Sequence, residues 1–195
     1  RWGSSFSPEW AALLWKPDFA AQFGARAVER FLIEKFENAH AQSFMDRTLY
    51  TDIHAYLPGD LLVKADRMTM ANSLEGRSPF LDHELASWAA RLPERMRVRG
   101  RTGKYLLRQA FAADLPPRVQ ARGKQGFGIP LGAWFRGPLA DWSRQILLSP
   151  DSHLSEWFHI QPRQQLIEEH LAGRADHGKR IYALAVLELW ARQAA

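Results

Sequence analysis

The sequence contains no cysteine, and that absence alone excludes several kinds of site. Disulfide bonds, thiolate metal centres and a cysteine nucleophile are all ruled out within this chain. The chain also lacks any run of about 20 apolar residues and any apolar signal-peptide core near its N-terminus. We therefore expect a cytoplasmic protein that does not span a membrane.

Glycine and proline are not enriched, at 13 and 11 of 195 residues, and 12% of the residues are aromatic. Such a composition supplies enough apolar side chains to offset the entropy of ordering the chain, so we expect one ordinary globular domain. No repeat and no long linker divides the sequence. It predicts a single helical region over residues 1–195.

Negative charge is nearly absent from one segment, residues 91–136, which carries a net charge of +9 within a chain of net charge +5. A localised basic segment suits a phosphate or nucleic-acid contact. The alternative interpretation is a basic face that is only solvated.

The spacing of apolar residues is helical along most of the chain and predicts an all-α fold. Ser7 followed by Pro8 is typical of a helix start, and Pro17 is expected to end that helix. Another turn is expected at Pro58 and Gly59, followed by a helix from Asp60 to Met70. Further helices are predicted at about 26–44, 47–56, 82–92, 103–113, 116–121, 138–148, 162–172 and 177–193.

Aromatic residues and histidines both have ordinary explanations. Four tryptophans lie in apolar helical patterns and are expected to pack in the core: Trp88, Trp134, Trp142 and Trp190. The last helix is apolar nearly all round over residues 181–190 and is expected to be buried. No histidine spacing suits a metal, so we predict no protein-bound metal.

Five blocks, taken in order, resemble the synthetase domain of the asparagine synthetase family. They are YLPGDLLVKADRMTMANSLEGRSPFLDHEL from Tyr56, GKYLLRQAF from Gly103, LPPRV from Leu115, RGKQGFGIPLGAWF from Arg122 and LAVLELW from Leu184. The resemblance identifies the chain as the helical C-terminal half of an α/β synthetase domain of the ATP-pyrophosphatase type, similar to the adenine nucleotide α-hydrolases.

The resemblance implies a glutamine-dependent amidotransferase, a ligase of asparagine biosynthesis that uses ATP with Mg²⁺. In this family aspartate or a related carboxylate is adenylated with release of pyrophosphate, and ammonia then displaces AMP. The family's cysteine-dependent glutaminase domain and its SGGxDS loop have no counterpart here. We therefore expect the fragment to be inactive alone and to need the missing N-terminal half of the same protein.

The same resemblance assigns candidate site residues. Lys124 matches the family lysine that contacts the departing phosphates or the developing oxyanion, so it is the predicted catalytic residue. The neighbouring Arg122 either assists it or is a surface arginine. Lys64, Asp66 and Arg67 border the substrate cavity or, alternatively, form a ladder of helix ion pairs.

Arg77 either shapes the substrate site or secures the turn around Glu75.

Two other functions stay open for the chain: a catalytically dead scaffold subunit and a basic nucleic-acid-binding module, the latter the less expected. An isolated half-domain also exposes apolar faces, which predicts self-association.

Overall fold

The computed structural model describes residues 5–23, 27–123, 126 and 128–194. The α-helices in these ranges are α1 Pro8–Leu14, α2 Pro17–Phe23, α3 Ala27–Glu37, α4 Phe44–Thr51, α5 Val63–Met70, α6 His83–Ala90, α7 Glu94–Arg97, α8 Tyr105–Ala110, α9 Pro117–Ala121, α10 Leu131–Arg136, α11 Ala140–Leu148, α12 Leu154–Trp157, α13 Ile160–Leu171 and α14 Gly178–Ala194. A π-helix over Asp52–Leu62 joins α4 to α5, and a 3₁₀ turn over Pro79–Leu81 precedes α6. Strands β1 Val98–Arg99 and β2 Thr102–Gly103 form a small antiparallel hairpin.

The chain folds into two compact units. The terminal unit combines Arg1–Ala27 with Gly126–Ala195, and the central unit is Val28–Gln125. The prediction of a helical architecture is confirmed, although the β1–β2 hairpin was not predicted. None of the described helices is long and apolar enough to cross a membrane.

The core of the terminal unit is built from one stripe on each of its three longest helices. Buried residues recur three or four positions apart, which is the spacing that lines one face of a helix. On α11 they are Ser143, Ile146 and Leu147; on α13 they are Arg163, Leu166, Ile167 and His170; on α14 they are Gly178, Ile181, Leu184, Ala185, Glu188 and Ala191. Each buried leucine or isoleucine contributes about 1.5–3 kcal/mol, so this cluster holds the unit together.

The N-terminal helices dock against this core through both side chains and backbone. The Ser7 hydroxyl caps α1 by accepting from the Trp10 N–H at 3.4 Å, which confirms the predicted start of that helix. Leu14 is buried, and the His159 N–H donates to its carbonyl at 2.8 Å. The prediction for Pro17 is wrong in one respect, because this proline also begins α2, where its missing N–H costs nothing.

The predicted turn at Pro58 and Gly59 is wrong. The chain stays helical from α4 through the π-helix into α5. Pro58 lies inside the π-helix, whose wider turn accommodates a residue that cannot donate a backbone hydrogen bond. The dipeptide signal for a turn was therefore overridden by a change of helix type.

The central unit has little core of its own. Among its described side chains, residues 29–123, only Ala39 and Thr51 are buried. Large apolar side chains such as Met68 and Phe80 are 60% and 66% exposed. The unit is held by local contacts along the helices rather than by a packed interior.

The prediction that four tryptophans pack in the core is wrong. Trp88, Trp134, Trp142 and Trp190 are between 39% and 59% exposed. The last helix is likewise buried along one stripe only, because Tyr182, Val186 and Leu189 on its other faces are exposed. These apolar positions give helical periodicity, but no described segment of the chain covers them.

Candidate active site

A cleft of about 540 Å³ opens in the central unit beside α5. Its walls come from α5 and from the extended segment that follows the turn at residues 71–74. Asp66 and Thr69 line the cleft from the helix, and Arg77 and Ser78 line it from the extended segment. The structure thus brings together two residues of the family block, Asp66 and Arg77, that are eleven positions apart in sequence.

The chain reverses after α5 because the helix ends in a tight turn. Ser73 takes a left-handed conformation with φ of 56°, and the Leu74 N–H donates to the Thr69 carbonyl at 3.0 Å. Gly76 then lies beside Thr69, where a Cβ on the glycine would be in ordinary van der Waals contact with the threonine hydroxyl, at 3.6 Å. The turn therefore places the following residues, including Arg77, beside the face of α5 that carries Asp66.

The charged groups near the cleft form two exposed ion pairs. The Arg77 guanidinium lies 2.8 Å from the Glu75 carboxylate, which agrees with the interpretation that these residues secure the turn. Lys64 lies 3.8 Å from Asp60, one helical turn earlier. Both pairs are solvent-exposed and contribute little to stability, so Arg77 can exchange its partner for another anion at small cost.

Not every predicted site residue lies at this cleft. Lys64 and Arg67 are on α5 but do not line it, so the helix-ladder interpretation fits Lys64 better. Arg122 follows the last residue of α9 in an extended conformation and does not line the cleft either. Lys124 lies outside the described residues.

Sequence reasoning missed the two hydroxyl groups of the cleft. Thr69 is three positions after Asp66 and so shares its helix face, a signal that the sequence contained. Its hydroxyl donates to the carbonyls of Ala65 and Asp66, at 2.9 and 3.0 Å. Ser78 could not be foreseen, because its position depends on the turn at Ser73. The cleft therefore offers a carboxylate, a guanidinium and two hydroxyls beside apolar walls.

Several cations of the basic segment are engaged inside the central unit. Arg97 pairs with Asp46 and holds the pKa of that carboxyl below its ordinary value, together with the Ser43 hydroxyl. Arg99 lies over the Tyr105 ring at 5.3 Å and donates to its hydroxyl at 2.7 Å. These contacts give the arginines structural partners, which weakens the interpretation of the segment as a nucleic-acid surface.

Residues 3–192 match the model of the family described as Asparagine synthase. The match includes both units and the cleft. The chain belongs to the asparagine synthase family. This confirms the resemblance found in the sequence blocks.

Curated proteins similar to the chain are named as asparagine synthetases. Asparagine synthetase [glutamine-hydrolyzing] 1 of Bacillus subtilis is 36% identical over 155 residues, which is 80% of this chain and 24% of that protein. Putative asparagine synthetases of Mycobacterium bovis and Mycobacterium tuberculosis are each 39% identical over 146 residues, 74% of this chain and 22% of theirs. The chain thus spans about a quarter of these relatives. No solved structure matches it.

Proposed function

We propose that this chain is the C-terminal part of the synthetase domain of a glutamine-dependent asparagine synthetase. Both compact units belong to that one domain, as the family match over residues 3–192 supports. The observation that carries the proposal is that Asp66 and Arg77, which both come from the longest family block, line one cleft. Most of the protein, including an ATP-pyrophosphatase-type sheet and the glutaminase domain, would be supplied by the N-terminal part.

The reaction is adenylation followed by amide formation. The substrate carboxylate attacks the α-phosphorus of ATP, the bond to pyrophosphate breaks, and ammonia from glutamine then displaces AMP to leave the amide. Pyrophosphate carries several negative charges as it departs, so a fixed cation beside it lowers the barrier. We assign that task to Lys124, with Arg122 beside it, and we propose the cytoplasm as the place of reaction because ATP is made available there.

Arg77 and Asp66 would act on the substrate at the cleft. A guanidinium can hold a carboxylate or phosphate through two parallel hydrogen bonds, so Arg77 fits an anionic substrate such as aspartate. Asp66, a carboxylate on the opposite wall, fits the α-amino group of the same substrate or a proton in transit. Lys64 and Arg67, on the same helix, add positive potential near the cleft.

The described residues do not fit a protein-bound metal site. No three histidine, aspartate or glutamate side chains in the described ranges lie close enough to hold an ion. We propose that the Mg²⁺ used with ATP is held by the phosphates and by segments outside this chain. No step assigned to these residues depends on it.

The test replaces Lys124 in the full-length protein and measures pyrophosphate release. Lys124→Met should lower turnover by about two orders of magnitude, the size expected when one fixed charge is removed from the transition state. Lys35→Met is the matched control, because Lys35 lies on α3 and contacts the Phe31 ring; it should leave turnover unchanged.

Two results would contradict parts of the proposal separately. Unchanged pyrophosphate release in Lys124→Met would remove the assignment of that lysine while keeping the function. Absence of aspartate-dependent pyrophosphate release from the wild-type full-length protein would overturn the function itself, and the scaffold interpretation would then replace it.

A further inference from the structure

A second cleft, of about 530 Å³, lies within the terminal unit where α10 and α14 begin. Close backbone packing creates it. A Cβ at Gly178 would lie 2.7 Å from the Gly132 backbone nitrogen, and a Cβ at Gly132 would lie 2.8 Å from the Asp176 carboxylate. The two glycines therefore let the starts of both helices touch, and side chains from both helices line the space beside them.

Three cations line this cleft against one carboxylate. Arg136 comes from α10, Lys179 and Arg180 come from the first turn of α14, and Asp176 precedes that helix. Asp176 accepts from the Gly178 N–H at 3.0 Å, and this bond holds the pKa of its carboxyl below the ordinary value. With Asp176 ionised, the lining carries a net charge of +2.

The intramolecular partners leave much of this positive charge available. Arg136 donates through Nε to the His170 carbonyl at 3.0 Å, and its terminal nitrogen lies 4.0 Å from Asp176. Arg180 donates to Nδ1 of His177 at 2.7 Å and lies over the Trp10 ring at 5.4 Å, and its buried Nε has no hydrogen-bond partner among the described residues. Lys179 is exposed and forms no ion pair or hydrogen bond within the described part of the chain.

The position of Lys179 and Arg180 is unfavourable for the helix itself. The first turn of α14 contains no acidic residue and two cations, although the helix dipole makes this end positive. The Lys179 backbone N–H is also one of those that a helix cannot satisfy internally. Helix stability does not explain cations here, whereas an anion in the cleft would relieve their repulsion and accept from the Lys179 N–H, since the N–H groups of Gly178, Arg180 and Ile181 already donate to Asp176 and His177.

We propose that this cleft binds a phosphate dianion, free or as the terminal group of a phosphomonoester. A doubly charged tetrahedral oxyanion matches the net charge of +2 and can accept from Lys179, Arg136 and the start of α14 together. The site consists entirely of terminal-unit residues. It does not rest on the proposed function, since it uses neither the Asp66 cleft nor Lys124.

The test is a titration of this 195-residue chain with inorganic phosphate at neutral pH, followed by the amide NMR signals of Gly132, Gly178 and Lys179. Sodium chloride keeps the ionic strength constant. The signals should shift saturably, and Lys179→Gln should weaken binding about tenfold, as expected for the loss of one hydrogen bond to a charged group. Methyl phosphate should bind the same site if the terminal group of a phosphomonoester is recognised.

Arg144→Gln is the matched control, because Arg144 is an exposed cation on α11 that does not line the cleft. It should bind phosphate as the wild type does. Lys179→Glu gives a second readout: it should abolish the shifts and at the same time raise the stability of the free chain, since a carboxylate suits the first turn of a helix. Shifts that do not saturate, or equal weakening by Lys179→Gln and Arg144→Gln, would overturn the site.

Discussion

Glu188 is a carboxylate without exposed surface in the middle of α14, on the same stripe as the apolar core residues. It accepts from the Ser152 hydroxyl at 2.9 Å and the Leu154 N–H at 3.1 Å, and its other oxygen accepts from Arg192 at 2.8 Å. Burial alone would raise the pKa of Glu188, but these hydrogen bonds together hold it below the ordinary value. The residue therefore stays charged inside the core.

Arg163 completes this buried network from α13. It donates to the Leu147 carbonyl at 2.7 Å, to the Ser152 hydroxyl at 3.4 Å and to the Ser155 hydroxyl at 2.9 Å. Ser152 thus contacts both Glu188 and Arg163, and the two opposite charges are linked through one hydroxyl. A buried charge with all its partners fixes how the surrounding helices pack.

We predict that Glu188→Gln lowers the free energy of unfolding of the terminal unit by about 1–3 kcal/mol. The amide keeps the shape but leaves Arg163 with less compensation for its buried charge. Chemical denaturation measured through tryptophan fluorescence reports the change. The control is Glu168→Gln, at an exposed position of α13, which should alter stability by less than about 0.5 kcal/mol.

Acid adds a second readout to the same variant. Because the pKa of Glu188 is lower in the folded state, its carboxylate stabilises the fold above the unfolded pKa, and that contribution is lost as pH falls through the folded pKa. Glu188→Gln should therefore lose less stability in acid than the wild type. Parallel acid profiles for the two proteins would contradict this account of Glu188.

At the scale of helices, the contact between α10 and α14 depends on two glycine backbones. We predict that Gly178→Ala destabilises the terminal unit by about 1–3 kcal/mol, because its Cβ would meet backbone atoms that cannot rotate away. This clash outweighs the better helix propensity of alanine. Thermal unfolding of the variant checks the prediction.

Gly128→Ala is the matched control for that experiment. No atom lies within 4 Å of the position its Cβ would take, so the melting temperature should not fall. A melting temperature for Gly178→Ala equal to that of Gly128→Ala would show that the two helices can separate without cost.

Helix boundaries show where the sequence was informative. The start of α6 was predicted at residue 82, and the Asp82 carboxylate indeed caps it by accepting from the Leu85 N–H at 2.9 Å. The turn predicted at Pro58 was wrong, because a proline residue gives the same local signal whether the chain turns or a helix widens around it. Local caps are readable from sequence; a change of helix type depends on the geometry of the whole segment.

The candidate site, like the helix boundaries, was predictable from the sequence only in part. The family block marked Asp66 and Arg77, and the structure places both at one cleft. The block alone did not show that Lys64 and Arg67, on the same helix as Asp66, do not line that cleft. The role of Lys124 stays a prediction.

At the scale of the whole molecule, exposed apolar surface is concentrated in the central unit. Met68, Leu74, Phe80, Trp88 and Phe111 are each at least half exposed. Monomeric proteins rarely leave so many large apolar side chains in water. This surface fits the proposal that the N-terminal part of the protein covers it.

We predict that the isolated chain self-associates as its concentration rises, measured by light scattering. Replacing Met68 and Phe80 together by serine should shift the association to higher concentration, whereas Arg144→Gln should not. Addition of the N-terminal part should reduce the association. A clean monomer at high concentration would show that the central unit tolerates its exposed surface.

The interleaving of the two units has a consequence for synthesis. Lys16, in the N-terminal segment of the terminal unit, donates to the Ser155 carbonyl at 2.6 Å. The two residues are 139 positions apart, and the central unit occupies most of the sequence between them. Because α1 and α2 are synthesised well before α11, α13 and α14, they have no core to join until those later helices have been made. A nascent chain stopped before α11 would hold α1 and α2 unattached, so the synthesis of α11, α13 and α14 decides when α1 and α2 become structured.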